Sequence, residues 1–389
     1  MTSHSNPTLL AGIRVLDLAD ERGEMCGRFL ADLGADVLRV ETPSGETTRK
    51  LPPLVGELSA SFAWRNANKR GLTLDTTSKT GGMLLERLLK TSDVLLSSVR
   101  HSMNDIEEIT SRHPHLVVAT ISDFGLGGPY GSYEGNELID FALGGSMKRF
   151  GPAEKAPLIP PGAFAYDIAG VHAALYTVMS LLARIRSKRG GHLDISVVES
   201  VANTADWSIP AGSRSTVAVQ RAGASVYYPI FPCADGHIRM VIPLLPRQWL
   251  GLKKWLGEPS ELAGDHWNDV QVRLGNEILN DILRGFFASK SRVQLAHEAQ
   301  RHGVPLTPVL LPTEVMTNEH ALARGTFAKF EIQSGHDGTV ATGSFEIDGQ
   351  RIGYRKRAPS LGEHNNEIYC DELGLTPDEL TALRTGGIL

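Results

Sequence analysis

Two hydrophobic periods alternate along this chain. Residues 13–18 form a mostly apolar, strand-like run. A charged turn, Asp20-Glu21-Arg22-Gly23, leads into helical spacing over 24–33 that stops at Gly34, and 36–41 is strand-like again. The alternation recurs, with strands expected at 71–75, 93–97 and 115–122 and helices at 81–90 and 103–112. Strand, helix, strand in succession implies a parallel sheet with right-handed crossovers, so the pattern predicts an α/β chain with a Rossmann-like large domain. Farther on, 228–243 alternates as a hairpin around Ala234-Asp235-Gly236. Helical patterns carrying Trp249, Trp255 and Trp267 follow, which predicts a smaller α+β second domain. The expected division is 1–224 for the large domain, 225–325 for the small one and 326–389 for a C-terminal return. Thr376-Pro377-Asp378 marks the start of a last helix.

The most distinctive stretch begins at Pro160-Pro161-Gly162 and delivers Asp167 to the mouth of a long apolar helix running to about Arg186. Ile168, Val171, Leu175, Val178, Met179, Leu182 and Ile185 recur at helical spacing, which predicts one buried face. Arg189-Gly190-Gly191 should stop the helix, and Leu193, Ile195 and Val197 read as the next strand. From spacing alone, Asp167 reads first as a helix N-cap accepting backbone N–H bonds, and second as a nucleophilic or basic carboxylate in a cleft. The two are compatible, because a helix N-terminus also stabilises negative charge.

Composition narrows the classes. Of 389 residues, 21% are charged and 41% hydrophobic, with a net charge of −5, ordinary values that argue against a bulk nucleic-acid or membrane-surface binder. Cys26, Cys233 and Cys370 are odd in number and widely spaced, so no disulfide framework or metal site is expected. The polar start, 1–7, lacks the apolar core of a signal peptide, and no apolar run is expected to approach transmembrane length. The expectation is a cytoplasmic protein. The first strand-to-helix turn lacks G-x-G-x-x-G, which argues against a nicotinamide cofactor. Gly125-Leu126-Gly127-Gly128-Pro129 reads as a turn, or as backbone lying close to a ligand.

Taken together, several stretches resemble the class III CoA-transferases, the family of formyl-CoA and carnitine CoA-transferases and alpha-methylacyl-CoA racemase. They include Leu10-Ala11-Gly12-Ile13-Arg14-Val15-Leu16-Asp17, Leu30-Ala31-Asp32-Leu33-Gly34-Ala35-Asp36-Val37, Asn68-Lys69-Arg70 and Gly127-Gly128-Pro129-Tyr130. The loop to Asp167, Arg189-Gly190-Gly191-His192-Leu193-Asp194 and Arg357-Ala358-Pro359-Ser360-Leu361-Gly362 complete the series. The resemblance implies an interlocked homodimer and CoA transfer from an acyl-CoA to a carboxylic acid. Coenzyme A and acyl-CoA are then substrates, and no permanently bound cofactor is expected. It makes Asp167 the nucleophile and puts Glu137 near the reacting centre. It assigns Lys69 and Arg100 to the nucleotide, with Gly127 and Gly128 as the glycine turn beside it. The covalent sequence it implies runs through an aspartyl anhydride and an aspartyl-CoA thioester.

Three stretches depart from the family pattern. Arg22-Gly23-Glu24-Met25-Cys26 stands where many members carry small residues. Ser98-Val99-Arg100-His101-Ser102 keeps only the arginine of a common motif, and no glycine-rich lid is evident at Arg221-Ala222-Gly223-Ala224. Two rival functions remain open at this point. Acyl-CoA racemisation would need a histidine partner for the aspartate, and Asn136 occupies that position. A non-catalytic CoA-binding homologue would look the same at Asp167.

Overall fold

The computed structural model describes residues 8–98, 103–152, 154–205, 208–214, 226–333 and 335–389. The chain divides into two compact units. The larger comprises residues 1–146, 160–206 and 319–389; the smaller comprises 147–159 and 207–318. The smaller unit therefore also takes in 147–159 and 207–224, which the expected division put in the large domain, and the return to the larger unit begins at 319 rather than 326.

The larger unit is built on strands β1 (Arg14–Leu18), β2 (Asp36–Glu41), β3 (Arg70–Thr73), β4 (Val94–Ser97), β5 (Val117–Ser122) and β6 (Gly191–Ser196). They pair in the order β3-β2-β1-β4-β5-β6, and every pairing is parallel. Helices α1 (Glu24–Asp32), α2 (Ala60–Arg65), α3 (Lys79–Lys90), α4 (Met103–Arg112), α5 (Glu137–Leu143), α6 (Phe164–Ser187) and α7 (Val197–Asn203) connect or follow them. Leu16, Leu38, Leu72, Leu95 and Val118 on the strands share a core with Ile368, Tyr369 and Leu380, so the C-terminal segment covers the sheet it returns to. The last helix, Pro377–Thr385, starts at Thr376, which closes a capping box with Glu379. Val197 opens α7 rather than extending β6, because the Ser196 hydroxyl caps that helix by accepting from the Glu199 N–H.

The long apolar helix forms, but its packing inverts the expectation. The buried positions of α6 include Ala165, Ala169, Ala173, Thr177 and Leu181, a ridge at four-residue spacing. Where α6 meets α1, a Cβ at Gly170 would lie 2.7 Å from the Met25 Cβ and 3.1 Å from the Cys26 nitrogen. That approach admits only small side chains. The bulky residues therefore face away: Val171 is 48% exposed, Leu175 52%, Met179 56%, Leu182 66% and Ile185 65%. By length and composition α6 could cross a membrane, yet a third of its apolar window is buried within the protein. The helix ends at Lys188 in the left-handed conformation, not at a glycine. Gly190 is needed for a different reason, since a Cβ there would sit 1.9 Å from the Leu116 carbonyl oxygen.

The smaller unit contains an antiparallel sheet of Ile230–Cys233, Gly236–Met240 and Leu306–Pro308. Helices Pro246–Trp255, Glu277–Phe287 and Arg292–Arg301 belong to the same unit, whose core buries Trp249, Trp255 and Trp267 with Leu252 and Phe287.

Candidate active site

In this strand order the chain leaves β1 toward β2 on one side and resumes at β4 on the other. The crevice beyond the carboxyl ends of β1 and β4 is the place where open parallel sheets bind ligands. A cavity of about 310 Å3 lies there. Its wall includes Asp20, Glu21 and Arg22 after β1, Ser98 after β4, Ser122 and Asp123 at the end of β5, and Tyr166 from the first turn of α6.

Asp167 follows Tyr166 and does not cap its helix. The N-cap position is Ala163, which supplies no side-chain acceptor. Glu137, from the first turn of α5, does the capping: its carboxylate accepts from the Ala165 N–H at 2.8 Å and the Tyr166 N–H at 3.4 Å. Burial raises the Glu137 pKa despite those amides, with the nearby Asp167 charge adding to the effect. The Asp167 carboxylate is thereby left without backbone donors among the described residues. Its side chain is 33% exposed, and its Oδ1 accepts from Arg65 Nη2 at 2.9 Å. Burial raises the Asp167 pKa, and the Arg65 guanidinium opposes the rise by favouring the charged form.

Lys69 is not available to a nucleotide. It is 1% exposed, and its ammonium donates to Asp17 Oδ2 at 2.8 Å, the Glu24 carbonyl at 2.9 Å and Asn66 Oδ1 at 2.9 Å. All three protons are spent, so Lys69 builds the floor of the β1–α1 turn instead of touching a ligand. Arg39, also fully buried, reaches Asp17 at 3.4 Å and donates to the Ala19 carbonyl. Gly127 and Gly128 sit in the loop after β5 but are not on the cavity wall, which that loop reaches on either side of them with Phe124, Gly125 and Leu126 and again with Gly131 and Tyr133 through Asn136. Arg100 lies outside the described residues, as do 221–224. Asn136 caps α5, its Oδ1 accepting from the Ile139 N–H at 3.1 Å.

Three more residues matter at the site: Arg22 stands in the segment that departs from the family pattern, and the other two carry no motif. Arg22 bridges Asp20 and Asp123, with Nη1 2.8 Å from Asp123 Oδ2. Its bond to Asp20, followed by the Asp20 and Asp123 charges, raises its pKa against the effect of burial. Asp140, on α5, is fully buried beside Asp123, and burial first, then the Asp123 charge, pushes its pKa up to about 8. These neighbours favour the protonated carboxyl at Asp140, and neither of its oxygens meets a donor among the described residues. Arg65 is the third, four residues ahead of Lys69.

A family model for CoA-transferase family III matches residues 10–365. The chain belongs to CoA-transferase family III. It is 32% identical over 380 residues to the probable CoA-transferase Rv1866 of Mycobacterium tuberculosis, covering 93% of this chain but 48% of that protein. It is 28% identical to the succinyl-CoA:(R)-benzylsuccinate CoA-transferase subunit BbsE of Thauera aromatica, with coverage of 96% and 97%. It is also 28% identical to the human alpha-methylacyl-CoA racemase, covering 98% and 97%. A CAIB/BAIF family protein from Brucella suis shares the fold with a TM-score of 0.80 at 25% identity, covering 94% of this chain and 100% of that one. The named family III relatives are enzymes, and this chain is an enzyme of the same family.

Proposed function

We propose that this family III enzyme moves CoA from an acyl-CoA to a carboxylic acid, with Asp167 as the nucleophile. One observation carries the reading: at the start of α6 Glu137 occupies the backbone amides, so the neighbouring Asp167 carboxylate is partly exposed and paired only with a side chain. A carboxylate held this way attacks a thioester carbonyl, forming an anhydride and releasing CoA thiolate. The thiolate then attacks the aspartyl carbonyl, leaving an aspartyl-CoA thioester and the donor acid. The acceptor carboxylate reverses both steps. Each intermediate is itself an activated acyl group, so the exchange needs no nucleoside triphosphate.

We assign the thioester end of acyl-CoA, rather than its phosphates, to this cavity, whose wall carries Tyr166 but not its neighbour Asp167. Asp20, Glu21, Asp123 and Glu134 line it, and the one arginine on its wall among the described residues, Arg22, is bound to two of these acids. Arg100 is the residue we assign to the phosphates, with Gly127 and Gly128 on the approach. Racemisation is the second reading, since one relative is named a racemase. Asn136 argues against it: a carboxamide engaged as a helix cap cannot carry a proton to the alpha carbon.

Incubation with a panel of acyl-CoAs, followed by hydroxylamine or borohydride and mass measurement, tests the reading. Modification confined to Asp167, and loss of transfer to background in Asp167→Ala, are the expected results. Deuterium entering the alpha carbon without an adduct would replace transfer by racemisation. We infer further that the enzyme is an interlocked homodimer. Its support is the apolar stripe of α6, which the described residues of its own unit leave exposed. A hydrodynamic mass of one chain would remove that inference.

A further inference from the structure

We propose that Arg65 is the acid-gripping group of the transfer cycle, releasing the Asp167 carboxylate when that residue is acylated and taking the carboxylate of the free acid in its place. The inference rests on Asp167 being the nucleophile, and charge conservation supplies the argument. In the free enzyme Arg65 Nη2 holds Asp167 Oδ1 at 2.9 Å, and this is the guanidinium's one hydrogen-bond partner among the described residues. The arginine is the more buried of the two, 10% exposed against 33%, and its Nε is buried without a partner. Glu21 and Glu24 add negative charge nearby without bonding to it. Arg65 is therefore a desolvated cation whose one bonded anion is the group that reacts.

The cycle removes that anion. When an Asp167 oxygen bonds the acyl carbon and the C–S bond breaks, the negative charge leaves on the CoA sulfur. When the thiolate then bonds Asp167 Cγ, the bond from Cγ to the bridging oxygen breaks. The electron pair departs with the acid. The released carboxylate carries away an oxygen that belonged to Asp167, so it forms within reach of Arg65. Asp167 is now a neutral thioester, and leaving a buried guanidinium unpaired is costly. A carboxylate suits its planar fork and restores the pairing. The incoming acceptor acid must meet the same condition, which makes Arg65 a determinant of selectivity for carboxylates over neutral nucleophiles such as water.

The test uses whichever acyl-CoA of the panel labels Asp167, and follows isotope exchange between it and its own free acid. Arg65→Gln should raise the acid concentration for half-maximal exchange by about 10- to 100-fold. The acyl-CoA concentration needed to form the adduct should move little. Arg65→Lys, which keeps the charge without the fork, should fall between. Equal shifts for acid and acyl-CoA, or none, overturn the role of Arg65 while leaving Asp167 as nucleophile. If Arg65→Gln fails to fold by circular dichroism, the wild-type protein decides. The free acid should then slow hydroxylamine cleavage of the adduct at concentrations that leave the unacylated enzyme unoccupied; equal binding to both forms overturns the proposal. No adduct with any acyl-CoA overturns the Asp167 reading and this one with it.

Discussion

Two buried ionisable clusters flank the crevice, and they behave differently for a reason visible in their partners. Around Lys69, opposite charges and acceptors are matched: three protons meet three oxygens, and Asp17 takes the ammonium together with Arg39 and the Ala19 N–H. Around Asp140 the neighbours are mismatched. Asp123 is another acid, and the one cation acting there among the described residues, Arg22, bonds Asp123 and not Asp140. A buried charge with complementary partners becomes scaffold. One without them keeps its proton and remains titratable near neutral pH.

Removing the cation from the matched cluster should have the larger effect. Lys69→Met leaves the sealed Asp17 with the Ala19 N–H and a longer contact to Arg39 as its remaining partners, and the expected loss is about 3–5 kcal/mol of unfolding free energy, read from urea titrations. Adding Asp17→Asn to that variant should recover part of the loss. A loss no greater than that of a surface lysine would show that the cluster is not the scaffold described here.

The mismatched cluster should show itself through pH. Between the unfolded value of 3.8 and about 8 the native protein holds a proton on Asp140 that the unfolded chain releases. Its stability contribution is complete below that window and is lost as pH rises through it. Asp140→Asn keeps a donor toward Asp123 and cannot ionise. It should be more stable than the parent at pH 9 by more than about 1 kcal/mol and match it more closely at pH 4. Parallel stability curves for the two proteins across this range would place the proton elsewhere.

Much of the larger unit was legible in the residue pattern. Each early strand is short, apolar and followed by a helix with a capping or stop signal, so local rules and the crossover rule agree. The last helix was legible for the same reason, with Thr376 and Glu379 in capping-box spacing. The role of Lys69 was not, because an exposed phosphate ligand and a buried counter-ion look alike in a sequence. The packing of α6 departs from its residue pattern for a related reason. Hydrophobic periodicity marks an apolar face, but Gly170 and its ridge of alanines set how closely another helix can approach, and closeness decided which face the unit buried.

The sequence by itself determined the alternation of strands and helices, the parallel sheet and the helix that presents Asp167, since these depend on residues a few positions apart. Only the tertiary structure decided that Glu137 would cap that helix and that Arg65 would face the aspartate. Residues 102 positions apart carry no local signal of their pairing. Which carboxylate is spent on amides and which stays available depends on side chains that meet only after the sheet has formed.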